Sequence, residues 1–551
     1  MELYAWQEDA IDALTSGSGR VLVIAPPGGG KSLCYQHPAA ALEGTALVIT
    51  PLVSLMVDQV SSLAARGVPA TYLASSLTAE ENRRREDEAL RGAFKLLYVS
   101  PERLASTRFV EEVIGRLDLS LLAVDEAHCI SQWGHDFRPE YMQIGALVER
   151  LKPRRLIACT ATATPAVRAE ILDRLRMPKA HQILRGFARE NLEFTVEEVS
   201  GPRAKEARVA DEVSRVLGTP RAGRGSAIVY TSQRAHAESM AEALRSRGWS
   251  ADHYHAGLEG AARAAVQERF QQGALDVVAA TNAFGMGIDR PDIRLVAHHG
   301  MPDSVEAYYQ EVGRAGRDGA PARGLLLISD PDIAWRFKLI AADPAIDAEQ
   351  QLRRRALLRA LIAYAESSDC RHDGILHYFG DEAEALGGCG RCDNCRRQAA
   401  NATPVEASAD ESAPTIAGAL KAIRGLPFAV GPGALAAYLA GAPTTQMRKY
   451  DWLARDAFGI AREHSEHTLK RLLRRLVAAG LLAVEGEHGT VHVTRRGAEV
   501  SEGRRASDVR MPLPAVRVRR AASAASAAPL SAERSGAAPA IFEAQKSRRR
   551  Q

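Results

Sequence analysis

Two adjacent carboxylates, Asp125 and Glu126, close a short apolar run at residues 121–124. An acidic pair at the end of a buried strand suits magnesium binding and the positioning of an attacking water in nucleotide hydrolysis. Upstream, RVLVIAPPGGGKSLCYQHPAAAL (residues 20–42) joins an apolar run to a glycine loop and then to a helical stretch opening at Lys31 and Ser32. Gly28, Gly29 and Gly30 let backbone N–H groups close on phosphate oxygens. Lys31 is placed to reach the β- and γ-phosphates, and the Ser32 hydroxyl to join Asp125 on magnesium. Ala25 stands where the strictest form of this pattern has glycine. A third set lies in QEVGRAGRDG, residues 310–319. Arg314 and Arg317 share a helical face and can enter a neighbouring phosphate site as arginine fingers. The alternative is a basic helix end at the surface, which Gly313 and Gly316 argue against.

The residues after Glu126 carry a different chemistry. Trp133, His135, Phe137, Arg138 and Tyr141 fall within the stretch 133–141. Flat aromatic faces beside a guanidinium suit stacking on unpaired bases. Residues 121–141 thus join a metal–nucleotide site to a single-strand site.

Of seven cysteines, Cys370, Cys389, Cys392 and Cys395 cluster with the spacing C-x18-C-x2-C-x2-C. That pattern suits four thiolates around a tetrahedral, structural zinc ion with no open position. Reduced structural cysteines or a redox pair are the alternatives. An odd cysteine count without an export signal argues against a disulfide framework.

These groups need a scaffold that brings distant segments together. Strand-like runs at 46–50, 95–100, 121–124 and 155–159, mostly separated by helical stretches, have the rhythm of a parallel sheet covered on both faces. Residues 191–224, charged and broken by Gly and Pro, read as a boundary before a second series of strands at 227–230, 275–280, 295–298 and 325–328. Residues 396–414 read as a linker, and 415–500 as three helices followed by two strands around GEHG. On the third of these helices His467, Lys470, Arg471, Arg474 and Arg475 form a basic face suited to duplex phosphates. A solvated amphipathic helix is the alternative. Beyond about residue 502 the Ala, Ser, Arg and Pro composition cannot bury a core.

The chain has 551 residues, enough for several domains, and lacks any apolar run long enough to span a membrane. Residues 504–551 hold 11 Lys/Arg against 3 Asp/Glu, so the remainder is net negative although the whole is +4. Nucleic-acid binding by the body must rest on local patches.

The ordered set APPGGGKSLCYQ, TPLVSLMVDQV, YVSPERL, DEAHCISQWGHDFRPEY, TATAT, TNAFGMGIDRP and QEVGRAGRDG, with Gln7 before it, resembles superfamily 2 helicases and, more narrowly, the RecQ family. The resemblance implies an α/β chain of two tandem RecA-like parallel-sheet domains at 1–195 and 196–340. A helical zinc-binding subdomain at 341–398, a linker at 399–414, a winged-helix domain at 415–500 and a basic tail at 501–551 complete the expected layout. The implied activity is ATP-dependent 3′–5′ DNA unwinding in recombination, repair and replication, with ATP, Mg2+ and Zn2+. Lys31, Ser32, Asp125, Glu126, Gln310, Arg314 and Arg317 match the nucleotide machinery, Arg317 as the preferred finger, and Gln7 the adenine-reading glutamine. Trp133, Phe137 and Arg138 match an aromatic-rich loop that links DNA to hydrolysis. Single-stranded and forked or tailed DNA is the implied partner, a single-stranded-DNA-binding protein a candidate one, and a cytoplasmic monomer, nucleoid-associated if bacterial, the expected form. The chain departs from the family at Tyr4, where an arginine is usual, and at Pro27, where a threonine is usual. Either adenine recognition is weakened or the natural chain begins upstream of Met1.

Overall fold

Runs of branched and apolar residues make the central strands. In a computed structural model, which describes residues 3–26, 28–132, 136–285, 290–344, 346–400, 408–486 and 489–512, the first seven strands form one parallel sheet. They are β1 (Arg20–Ile24), β2 (Thr45–Ile49), β3 (Ala70–Leu73), β4 (Leu96–Val99), β5 (Leu119–Val124), β6 (Leu156–Thr160) and β7 (His181–Leu184), in the order β3-β4-β2-β5-β6-β1-β7. β2 and β4 are buried along their whole length, as helix-covered parallel strands must be. β1 and β5 flank β6, so the glycine loop after β1 and the acids after β5 emerge on the same rim, two strand spacings (about 10 Å) apart.

A second parallel sheet comprises β8 (Leu192–Glu198), β9 (Ser226–Tyr230), β10 (Ala251–Tyr254), β11 (Val277–Ala280), β12 (Ile293–His298) and β13 (Ala322–Ile328), in the order β10-β11-β9-β12-β13-β8. Here the boundary expected at 191–224 is corrected: it holds β8 and the helix Pro202–Leu217. Its charges are not a solvated linker. Glu212, 1% exposed, takes Arg208 and Arg215 from its own helix and Arg323 from β13, and Arg208 also holds Glu197.

The helices Ala348–Glu366 and Arg371–Phe379 lead to the cysteine cluster. The linker expected at 399–414 is also corrected. The helix Asp393–Ala400 occupies its start, residues 401–407 lie outside the described residues, and Ser408 opens the helix Ala409–Arg424 with a Ser408–Glu411 capping box. The C-terminal unit adds helices Pro432–Ala440 and Glu466–Ala478 and the antiparallel pair β14 (Leu482–Glu485) and β15 (Thr490–Val493). Its packing runs past residue 500: Met511 is 7% exposed and its N–H donates to Ser412 Oγ at 3.0 Å. Most of the basic tail, 513–551, lies outside the described residues. Among the described residues no helix is long and apolar enough to cross a membrane.

Candidate active site and zinc cluster

The glycine loop needs its glycines for both conformation and room. Gly28 and Gly30 adopt φ of 78°, in the left-handed region. A Cβ on Gly30 would stand 2.6 Å from Gln7 Nε2, and one on Gly28 would stand 3.2 Å from Arg317 Cδ. Ser32 precedes the helix Leu33–Ala41 without spending its hydroxyl on a cap bond. Lys31 Nζ donates to the carbonyls of Ala25 (2.7 Å) and Pro26 (3.1 Å). Withdrawal from solvent lowers the Lys31 pKa, and the charges of Glu126 and Asp125 oppose that shift. Gln7 is 1% exposed, with its amide donating to Gly30 O at 3.1 Å and its carbonyl accepting from Tyr4 N at 2.9 Å. It therefore braces the phosphate loop in this arrangement, with its polar atoms committed to backbone rather than held out toward a base. Pro27 lies outside the described residues.

Asp125 ends β5 at 6% exposure, accepting from Glu126 N at 3.0 Å, with Tyr35 Oη 3.5 Å from its carboxylate. Burial first, and then the neighbouring Glu126 charge, push it up to about 7 against the pull of Lys31. A buried carboxyl held that high, beside the Ser32 hydroxyl, is a donor set that a divalent cation would ionise and fit. Glu126 sits at φ 47°, a left-handed conformation rare outside glycine and typical of functional turns. That turn aims its side chain toward His128, whose Nδ1 lies 3.3 Å from Glu126 Oε2 and 2.8 Å from Thr160 Oγ1. His128 thus ties the acid pair to the end of β6, a link that no local reading of the sequence contains.

The aromatic stretch divides. Tyr141, expected beside unpaired bases, is fully buried, and its hydroxyl donates to the Asp125 carbonyl at 2.9 Å. This corrects the expectation: the ring buttresses the acidic strand end. Arg138 pairs with Asp136 at 3.2 Å, Phe137 is half-buried, and Trp133 and His135 lie outside the described residues.

Arg314 and Arg317 come from the second sheet and face the loop of the first. Arg317 packs against Gly28 and lowers the Lys31 pKa by its charge. Arg314, 8% exposed, donates through Nη1 to the Gly285 carbonyl. With Gln310, Lys31, Ser32, Asp125 and Glu126 they line one cleft of about 660 Å³, within the range of small-molecule sites.

The four clustered cysteines place their sulfurs within 4.8 Å of one another, with Cys389 and Cys395 Sγ 3.9 Å apart. A zinc–thiolate tetrahedron with ~2.3 Å bonds needs sulfur separations of ~3.8 Å. Backbone N–H groups of Cys389, Arg371 and Cys395 donate to the sulfurs at 3.2 to 3.4 Å, as thiolates require. The Cys392 thiol is held down at about 4, foremost by its hydrogen bond with Cys370. Arg371 and Asp393 pair at 3.0 Å beside the cluster, and Asp393 also accepts from Val196 N at 3.4 Å, tying the zinc unit to β8.

Arg474 requires the plainest correction. Expected on a DNA-facing basic surface, it is 3% exposed and meets Glu198 (2.6 Å), Asp330 (2.6 Å) and Glu366 (2.9 Å). Burial alone would lower its pKa, but these three carboxylates hold it well above the usual value. Arg471 also turns to Glu366, at 3.0 Å, whereas Lys470 stays half-exposed.

Residues 4–171 match the family described as DEAD/DEAH box helicase and residues 208–319 the helicase conserved C-terminal domain. Residues 331–396 match the RecQ zinc-binding family and 412–517 the RQC domain. The ATP-dependent DNA helicase RecQ of Pasteurella multocida (strain Pm70) is 37% identical over 508 residues, covering 92% of this chain and 77% of the relative. That of Bacillus subtilis (strain 168) is 38% identical over 501 residues, covering 90% of this chain and 81% of the relative. Among solved structures, the DEAD-box helicase Mss116 bound to ssRNA and UDP-BeF has a TM-score of 0.50 at 15% identity, over 69% of this chain and 86% of that one, a likeness of fold. The chain belongs to the RecQ family of ATP-dependent DNA helicases.

Proposed function

We propose that this protein separates the strands of duplex DNA, moving 3′ to 5′ on one of them with energy from ATP hydrolysis, in recombination and repair. The observation that carries the reading is Arg317, supplied by the second sheet and packed on Gly28 of the first sheet's phosphate loop. A site assembled from two sheets links hydrolysis to their relative movement, because the finger is effective only when the cleft is closed.

Lys31 moves from its loop carbonyls to the nucleotide's phosphates, and Arg317 meets charge developing on the transferred phosphoryl group. Glu126, aimed by its left-handed turn, orients the attacking water and takes up its proton. Ser32 and Asp125 would hold magnesium, which would supply neutralisation of the charge on the nucleotide's phosphates. The four cysteines would hold zinc in a structural role, cross-linking the chain between the second sheet and the C-terminal unit. The same reading takes the protein as a cytoplasmic monomer at the nucleoid, with a single-stranded-DNA-binding protein as candidate partner. Sedimentation with and without that partner tests both points.

Lys31→Ala is the test of the scheme. It is expected to abolish ATP turnover while DNA binding persists, and DNA-stimulated turnover in that variant would sink the proposal. Comparing ATPase stimulation by single-stranded DNA, duplex DNA and RNA, alongside strand separation of a 3′-tailed duplex, distinguishes a helicase from a translocase that leaves strands paired.

A further inference from the structure

The helix Ala348–Glu366 carries Arg355 and Arg359 on one flank, one turn apart and about 40° apart around the axis. Both are half-buried, and the Nε of each is enclosed without a hydrogen-bond partner. Among the described residues neither guanidinium meets a carboxylate, whereas their neighbours do: Arg353 pairs with Glu349 at 2.5 Å and Arg354 with Asp343 at 2.9 Å. Burial, and then the facing charge of Arg355, lower the Arg359 pKa. Two like charges withdrawn from water without a counter-ion oppose folding, so their retention calls for an anion that arrives later.

Their surroundings indicate which anion. On the opposite flank of the same helix, Arg353 Nη1 donates to Gln132 Oε1 at 2.5 Å, at the entrance to the aromatic-rich stretch. A Cβ on Gly480, in the turn between the helix Glu466–Ala478 and β14, would stand 3.8 Å from Arg359 Nη1. The helix therefore runs from the foot of the aromatic stretch, met by Arg353, to the C-terminal unit, met by Arg359. The outward strip of the helix there is Leu352, Ala356 and Ala363, all exposed, and two of the three are small enough for a nucleic-acid backbone to approach closely.

We propose that Arg355 and Arg359 form a phosphodiester-binding site for the single DNA strand, between the aromatic-rich stretch and the C-terminal unit. The proposal rests on the reading of the protein as a DNA helicase. A planar guanidinium takes a phosphate through two parallel hydrogen bonds, and two guanidiniums one helical turn apart offer a short rail for consecutive phosphates.

The test is binding of an oligothymidylate to the full chain across a range of salt, comparing wild type with Arg355→Ala/Arg359→Ala. Each phosphate neutralised on a single strand contributes about 0.7 to the slope of log affinity against log salt, so the double variant is expected to lose about 1.4. Half-saturation of the DNA-stimulated ATPase shifts to higher DNA while its maximum is kept, and the thermal midpoint holds or rises as the repelling pair is removed. Arg355→Lys/Arg359→Lys keeps most of the slope. An unchanged slope overturns the proposal, as does a change confined to blunt duplex or a loss of affinity accompanied by a falling thermal midpoint. Inorganic phosphate that stabilises wild type but not the double variant, with DNA binding unaltered, would show a small-anion site and also overturn it. A wild-type chain without any DNA-stimulated ATPase would instead sink the helicase reading, and the proposal with it.

Discussion

Arg317 and Arg474 each stand where two parts of the chain meet, the first between the two sheets and the second between the second sheet and the C-terminal unit. Both belong to basic segments whose spacing suits phosphate. Arg317 lies beside Lys31 across a cleft whose acids, Asp125 and Glu126, face the same space. Arg474 is enclosed by Glu198, Asp330 and Glu366, contributed by three elements far apart in sequence. Local density of cations is the same kind of signal in both places. What separates the two is what the fold sets around the cation, an open cleft with the phosphate loop at Arg317 and three directly paired carboxylates at Arg474, and that is a property of the tertiary arrangement.

Arg317→Ala is expected to lower kcat for DNA-stimulated ATP hydrolysis by about 10³-fold or more, the scale of an arginine finger, with the urea midpoint unmoved. Equal losses of rate and stability would make Arg317 another joint. Arg474→Ala should do the reverse, costing about 3–5 kcal/mol because three buried carboxylates lose their shared cation. Urea unfolding measures that cost, and the folded fraction should turn over ATP normally. A normal urea midpoint in Arg474→Ala would return that residue to the surface role its sequence suggests.

A smaller effect separates the hub by pH. Burial alone would raise the Glu198 pKa, but the hydrogen bond and charge of Arg474 reverse this and leave it below the ordinary value. A depressed folded pKa contributes stability that is present above the unfolded value, about 4.3, and lost as pH falls through the folded one. The stability gap between wild type and Arg474→Ala should therefore be widest near neutral pH and narrow steadily on acidification, first as Glu198, left buried without its cation, takes up a proton in the variant, and then as pH falls through the depressed value in wild type. A gap that widens on acidification would exclude Glu198 as the partner that matters.

The same division between local and delivered features explains what the sequence makes legible. All nine strands visible as apolar runs are central ones, and the four others, β3, β7, β8 and β10, form the edges of the two sheets. Edge strands are solvated along one side and carry mixed residues, such as LEFTVEE in β8 and ADHY in β10, that do not read as buried. The phosphate loop, the acid pair and the cysteines are contiguous motifs whose chemistry is written in their spacing. Gln7 under the loop, Tyr141 beneath Asp125, Thr160 on His128 and the Arg474 hub depend on partners brought from elsewhere in the chain. Residues 502–512 show the same limit, since their composition suggests no core and yet Met511 is buried.

The smallest expected effect tests what remains of the basic face once Arg474 is removed from it. Lys470, one turn before Arg474 on the helix Glu466–Ala478, is half-exposed, and among the described residues it makes no ion pair. Its charge adds to the field that lowers the Glu198 pKa, so some of it is spent on the joint. A lysine held at the surface contributes to duplex binding as a point charge, about 0.9 in the salt slope per phosphate contacted. Lys470→Ala should therefore flatten the duplex slope by about that amount and leave the urea midpoint nearly unmoved. Arg471→Ala, which strips a partner from buried Glu366, should show the opposite pattern, with lost stability and little change in slope. If both variants change only stability, the whole face of this helix belongs to the joint, and duplex DNA must be held by another surface.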